Sequence, residues 1–341
     1  MTPVTAGLAV GTMPGVLLDT NVYRSMPEAR FTALSEAERR RQVAQYAEPF
    51  SLQELLAHLA DPRDPEFAWC RQAVVRVYRR VSGEGRPCGI IRDTESRLAE
   101  AITGKGLEKH DAYTEQLCIM LERVARTPLD QPLSKEETIR LPAIAEHVAA
   151  VEAGFADSLR RMQQTIDGIL GEDGPEERRQ TRRNAMATHA SEERRMMIAE
   201  GLLRFVCGEA GLALSEPLPV ELVARVRTGA AAGIEFEAQL LRRAAFDGAN
   251  VDAPRIRNLR WDQRIAYNIG WTIGPRPLWL VTDDGAFAEV ARATGPRGPR
   301  AHGGGVRAVA RRGAGHVGTL VGAGGRTGRP FAFQPAAGRS A

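Results

Sequence analysis

The chain has 341 residues, 43% of them hydrophobic and 26% charged, the balance of an ordinary globular protein with room for more than one structural unit. Apolar runs stop at charges far short of a membrane span, and the N-terminus lacks the pattern of a signal peptide. The four cysteines, Cys70, Cys88, Cys118 and Cys207, are too scattered for a disulfide framework and have no histidine at zinc-ligand spacing. Membrane, disulfide-stapled and zinc-ribbon classes are set aside, and a cytoplasmic protein with free thiols is expected. The net charge of +4 belongs to one end: nine arginines and no acid follow Glu289, leaving 37 basic against 42 acidic residues, a net −5, before it. A mildly acidic body does not by itself announce nucleic acid.

In chain order, Gly15-Val16-Leu17-Leu18 reads as a buried strand ending at Asp19-Thr20-Asn21. A helix follows near Ser51, with Leu52, Leu55, Leu56 and Leu59 on its apolar side. From about 61 to 254 the pattern is mainly helical, clearest where Ile144, Val148, Val151, Phe155, Leu159, Met162, Ile166 and Ile169 recur every three or four residues. Glu172-Asp173-Gly174-Pro175 is the stop signal for that helix. The arginines from Arg178 to Arg195 alternate with Glu176, Glu177, Glu192 and Glu193, the usual form of a solvated face.

Strand and helix signals return at the end: a helix from Trp261 to Trp271, a Gly-Pro-Arg-Pro turn, an apolar strand Leu278-Trp279-Leu280-Val281, and a helix from Gly285. Strands far apart in sequence pair readily in one sheet, so the expected fold is α/β: a parallel sheet flanked by helices and interrupted by a large helical insertion. The expected division is 1–60 with 255–290 as the α/β domain, 61–254 as the insertion, and 291–341, rich in Gly, Arg and Ala, as an unstructured tail.

Asp19 and Asp284 each follow a buried-type strand, and functional groups of open α/β sheets collect at the carboxyl ends of strands. Asp262 precedes Ile265, Ala266 and Ile269 by three, four and seven positions, which places it on the apolar face of its helix. Glu54 sits early in the helix after the first strand. Four gathered carboxylates repel one another unless divalent cations neutralise them, and an all-oxygen donor set favours Mg²⁺ or Mn²⁺. Such ions activate water and hold a phosphate, so phosphodiester hydrolysis is the implied chemistry. Plainer roles exist for each: Ser51-Leu52-Gln53-Glu54 has the form of a capping box, Asp283 or Asp284 that of an N-cap, and Asp19-Thr20-Asn21 that of a strand-end turn.

The segments Val16-Leu17-Leu18-Asp19-Thr20-Asn21, Ser51-Leu52-Gln53-Glu54-Leu55-Leu56, Trp261-Asp262-Gln263-Arg264-Ile265-Ala266 and Leu280-Val281-Thr282-Asp283-Asp284-Gly285-Ala286-Phe287 resemble, in order, the four acidic motifs of PIN-domain nucleases. The resemblance covers about 15–60 and 255–290. It implies that Asp19, Glu54, Asp262 and Asp284 bind Mg²⁺ or Mn²⁺ and are catalytic, while Thr20, Asn21, Thr282 and Asp283 support them. It also implies an endoribonuclease acting on single-stranded RNA, with a toxin–antitoxin or defence role and a protein inhibitor or antitoxin as candidate partner. The gap between Glu54 and Asp262 departs from compact members of the family, and no apolar closing strand is evident after Phe287. Two alternatives stand beside it: a non-catalytic scaffold whose helical insertion binds a partner or RNA, and a haloacid-dehalogenase-like phosphatase, whose usual second acid is here Asn21. No role is assigned to His58 or His147, and the oligomeric state is left open.

Overall fold

The computed structural model describes residues 14–82, 89–170, 176–177, 180–181, 184, 188, 191–246, 250, 254–269, 272–273, 276–282, 287, 306–309 and 319–323. In order, the first half contains β1 (Gly15–Leu18), α1 (Thr20–Ser25), α2 (Glu28–Arg40), β2 (Ala44–Tyr46), α3 (Pro49–Ala57), α4 (Phe67–Val81), α5 (Thr94–Thr103) and α6 (Glu108–Arg126). A short α7 (Lys135–Thr138) leads to α8 (Leu141–Leu170), α9 (Glu192–Glu209), α10 (Val220–Gly229), α11 (Ala231–Phe246) and α12 (Pro254–Ala266). The chain closes with β3 (Thr272–Ile273), β4 (Arg276–Thr282), β5 (Val306–Val309) and β6 (Thr319–Ala323).

β1 lies parallel to both β2 and β4, with Leu17 opposite Leu280 and Leu18 opposite Val281. Residues separated by most of the chain therefore share one sheet, in the order β2-β1-β4-β6-β5, with β3 paired to β4. Alternation along the strands divides the core in two. Val16, Leu18 and Val281 face one cluster with Leu55 of α3, Val74 of α4 and Leu121 of α6. Leu17, Leu278 and Leu280 face the other, with Leu159 of α8, Phe236 of α11 and Ile265 of α12. Such two-sided burial explains why β1 and β4 are continuous apolar runs rather than alternating ones.

Helices between 61 and 254 thus contribute to both faces of the sheet. The long stripe on α8 is real: Ile144, Val148 and Leu159 are buried, while the side chains of Ile166 and Ile169 and the stop signal at Glu172–Pro175 lie outside the described residues.

Three expectations are corrected. α3 begins at Pro49, ahead of Ser51, because proline's fixed φ and missing N–H suit a first helical turn. α12 covers Pro254–Ala266 rather than reaching Trp271; Asn268 and Ile269 bond back only three residues, to Ile265 and Ala266, which winds the chain into a closing turn. The tail is not wholly unstructured, since Val306–Val309 and Thr319–Ala323 form an antiparallel pair whose inner member lies beside β4. β6 pairs with the edge of β4 away from β1, and β5 with β6, which periodicity alone did not reveal. Of the helix expected from Gly285, only Phe287 is described, fully buried with its ring centroid 5.5 Å from that of Phe236.

Candidate functional site

Asp19 is the first residue beyond β1. Its backbone N–H donates to the Val281 carbonyl at 3.0 Å, extending the parallel ladder by one residue and fixing Asp19 to the end of β4. It occupies the N-cap position of α1 in extended conformation, yet its carboxylate makes no capping hydrogen bond. Instead Thr282, at the end of β4, donates from Oγ1 to Asp19 Oδ2 at 2.8 Å. Both residues are buried, so the anion stands in a low-dielectric environment where each donor counts.

Glu54 arrives on α3. The cap of that helix is Glu48, whose carboxylate accepts from Phe50 N at 3.0 Å, Ser51 N at 2.7 Å and Ser51 Oγ at 3.3 Å. The Ser51–Glu54 capping box is therefore overturned: Ser51 is already inside the helix and Glu54 is released from cap duty. Glu54 is half-buried. Burial pushes its carboxyl above the ordinary range, the Thr20 hydroxyl opposes this, the nearby Asp19 charge adds to it, and Arg24 and His58 oppose it. The Thr20 hydroxyl lies against this carboxyl without completing a well-formed hydrogen bond.

Asp19, Thr20, Glu54 and Thr282 consequently form one group at the carboxyl ends of β1 and β4. Two neighbouring carboxylates in such a place disfavour one another's charge, and their hard oxygens suit Mg²⁺ or Mn²⁺. Asp262 is half-buried on α12, a helix tied to α3 by Trp261, whose ring centroid lies 6.3 Å from that of Phe50. Asn21 is exposed, its backbone carbonyl accepting from Ser25 Oγ at 2.7 Å. Asp283 and Asp284 lie outside the described residues.

The rim beside Glu54 carries charges that were not singled out in the sequence. His58 Nδ1 is 2.9 Å from Asp64 Oδ2, and Arg24 pairs with Glu66. α4 supplies Cys70 beneath them, its thiol pushed up to about 12 by burial.

A second polar centre lies on α5. Asp93 caps this helix through Ser96 N at 2.7 Å and holds His110 of α6 through Oδ2 at 2.6 Å. Glu95 pairs with Arg264 of α12, whose guanidinium stands 5.1 Å from the centre of the Phe50 ring. Arg97, held down to about 10 by burial, faces Glu48 and donates to Asn268. Asp93-Thr94-Glu95-Ser96 is legible in the sequence as a helix start. Its partners on α6 and α12 have no signal in chain spacing, and the absence of histidine at ligand spacing missed them.

No helix among the described residues is long and apolar enough to cross a membrane. No protein-family model matches the chain, and neither a curated protein nor a solved structure matches it significantly.

Proposed function

We propose that the chain is a PIN-like, Mg²⁺- or Mn²⁺-dependent endonuclease acting on single-stranded RNA. The observation that carries this proposal is the placing of Asp19 and Glu54 together at the carboxyl ends of two parallel strands, with Asp19 oriented by Thr282. Open α/β sheets present reacting groups at this edge.

Asp19 and Glu54 would hold the ion, with Asp262 and Asp284 completing the donor set that the motif order suggests. When bound, the ion supplies an activated water and neutralises charge on the phosphate. Thr282 keeps one Asp19 oxygen occupied and so aims the other. Thr20 stands by Glu54 and favours its anionic form. The buried end of the sheet restricts water around these groups, which strengthens their hold on charge.

The phosphatase alternative is weaker, because the position two residues after Asp19 is the exposed Asn21. The deciding experiment is cleavage of single-stranded RNA with Mn²⁺ by wild type, Asp19→Asn, Asp284→Asn and Asp283→Asn. Loss of about 100-fold or more is expected for the first two and a mild effect for the third, with Mn²⁺ binding reduced in parallel. Unchanged cleavage in all three variants refutes the site, and wild type that binds no Mn²⁺ favours a scaffold.

A further inference from the structure

We infer that Asp93, Glu95 and His110 form a second metal site, distinct from the Asp19–Glu54 group, for a first-row divalent ion such as Zn²⁺ or Co²⁺. One donor atom from each of the three residues lies within 4.8 Å of the other two. Donors held roughly 2.0–2.2 Å from one ion stand at most about 4.4 Å apart, so ion binding draws the three donors slightly closer than the outer limit of that spread.

The surroundings match those of a ligand set. Asp93 and Glu95 are buried, and His110 closes the solvent side with its side chain 24% exposed. Each carboxylate is oriented by a group outside the triad: Ser96 N occupies Asp93 Oδ1, and Arg264 engages Glu95 Oε1. Ligating carboxylates are characteristically held this way by a surrounding layer of hydrogen bonds.

The second observation is Glu95 Oε2. This oxygen is buried and, among the described residues, has no hydrogen-bond partner, on a side chain only 5% exposed. A buried carboxylate oxygen left without a donor is costly, and a cation shared with Asp93 and His110 removes that cost. The 2.6 Å contact between His110 Nδ1 and Asp93 Oδ2 brings a nitrogen and an oxygen donor together. Ion entry would displace whatever proton they share.

Two oxygens and one nitrogen make a mixed donor set better suited to Zn²⁺, Co²⁺ or Mn²⁺ than to the all-oxygen preference of Mg²⁺. The three residues come from α5 and α6, so an ion would pin the start of α5 to α6. It would also reach α12 through Arg264.

The test is a Co²⁺ titration of the full chain, followed by absorption spectroscopy and calorimetry, with Zn²⁺ competition. Asp19→Asn is expected to retain one Co²⁺ equivalent that Zn²⁺ displaces, and wild type to hold that same equivalent alongside any ion taken by the Asp19–Glu54 group. His110→Gln is expected to weaken that equivalent more than about 100-fold, since even outer-layer partners are worth about 10–100-fold. Glu95→Gln, which leaves the helix cap on Asp93 intact, provides a second variant if His110→Gln fails to fold. The inference is overturned if wild type binds no Co²⁺ or Zn²⁺, if either folded variant binds as wild type does, or if Asp19→Asn alone abolishes binding.

Discussion

Thr282 Oγ1 donates to Asp19 Oδ2 at 2.8 Å, joining two residues 263 positions apart across the ends of two parallel strands. Pairing of Leu18 with Val281 sets the register, and the bond from Asp19 N to Val281 O extends it to the carboxylate. The orientation of Asp19 is thus a consequence of sheet register rather than of the local turn.

Thr282→Val keeps the shape of that side chain and removes its donor. The buried acceptor left behind should cost about 1–3 kcal/mol, read from urea unfolding. Mn²⁺ affinity should fall about tenfold or more, while Thr282→Ser retains most of both properties. Equal Mn²⁺ affinity in the valine variant would detach Thr282 from the proposed centre.

Arg80 is a second hinge between sequence-distant pieces. Its fully buried guanidinium pairs with Glu38, donates to the Val16 carbonyl at 2.9 Å and the Tyr46 carbonyl at 2.7 Å, and meets the Tyr23 hydroxyl at 3.2 Å. Arg80→Met strands the Glu38 carboxylate in the core and should lower unfolding free energy by about 3–5 kcal/mol. Adding Glu38→Gln should recover a measurable part, because the stranded charge is then gone. Additive losses in the double variant would contradict that account.

Gly233 of α11 carries the Tyr267 ring, and a Cβ there would overlap ring atoms. Tyr267 has little freedom to yield, since its hydroxyl donates to Glu237 Oε2 at 2.6 Å, an oxygen also held by Gln263 Nε2 at 2.7 Å. Gly233→Ala should therefore destabilise by about 1–3 kcal/mol despite alanine's higher helix propensity. Gly201→Ala on α9, where among the described residues nothing beyond the adjoining helix backbone lies within 4 Å of the new methyl group, should stabilise by up to about 1 kcal/mol. Thermal unfolding of the pair gives the contrast, and a shift of the same sign in both would dissolve it.

Much of the sheet was legible because β1 and β4 are buried on both faces and so appear as unbroken apolar runs, Gly15–Leu18 and Leu278–Val281. The α8 stripe was legible for the corresponding helical reason. The start of α3 was not, because a glutamate at 48 did the work that a serine and a glutamate three apart normally announce. β6 escaped because its partner edge belongs to β4, and a short strand in a glycine-rich stretch has little period of its own. Of the residues grouped at the end of the sheet, Asp19 followed from its strand end, and Glu54 and Thr282 from their motifs. The triad on α5 and α6 did not, since Asp93 and His110 meet only after two helices pack.

Glu48 makes stability depend on pH. Burial raises its carboxyl from 4.5 to about 7, against the opposing pull of the Phe50 and Ser51 donors and of Arg97. A group whose folded value lies above its unfolded one binds its proton more tightly in the folded state. Its contribution to stability is therefore complete below about pH 4.5 and is lost as pH rises through about 7. The separation between those values corresponds to about 3 kcal/mol. Arg97, at about 10, stays charged across this window and leaves the sign unchanged. Glu48→Gln retains an acceptor oxygen for the α3 backbone but does not titrate. Urea midpoints for wild type and Glu48→Gln at about pH 5 and about pH 8 isolate the effect, because His110 and every other titrating group are common to both proteins. Wild type should lose about 2.5 kcal/mol more than the variant between the two conditions, since a small part is already lost at pH 5. Parallel losses would mean that the Phe50 and Ser51 donors, together with Arg97, hold the Glu48 anion in the folded state as readily as water does in the unfolded one.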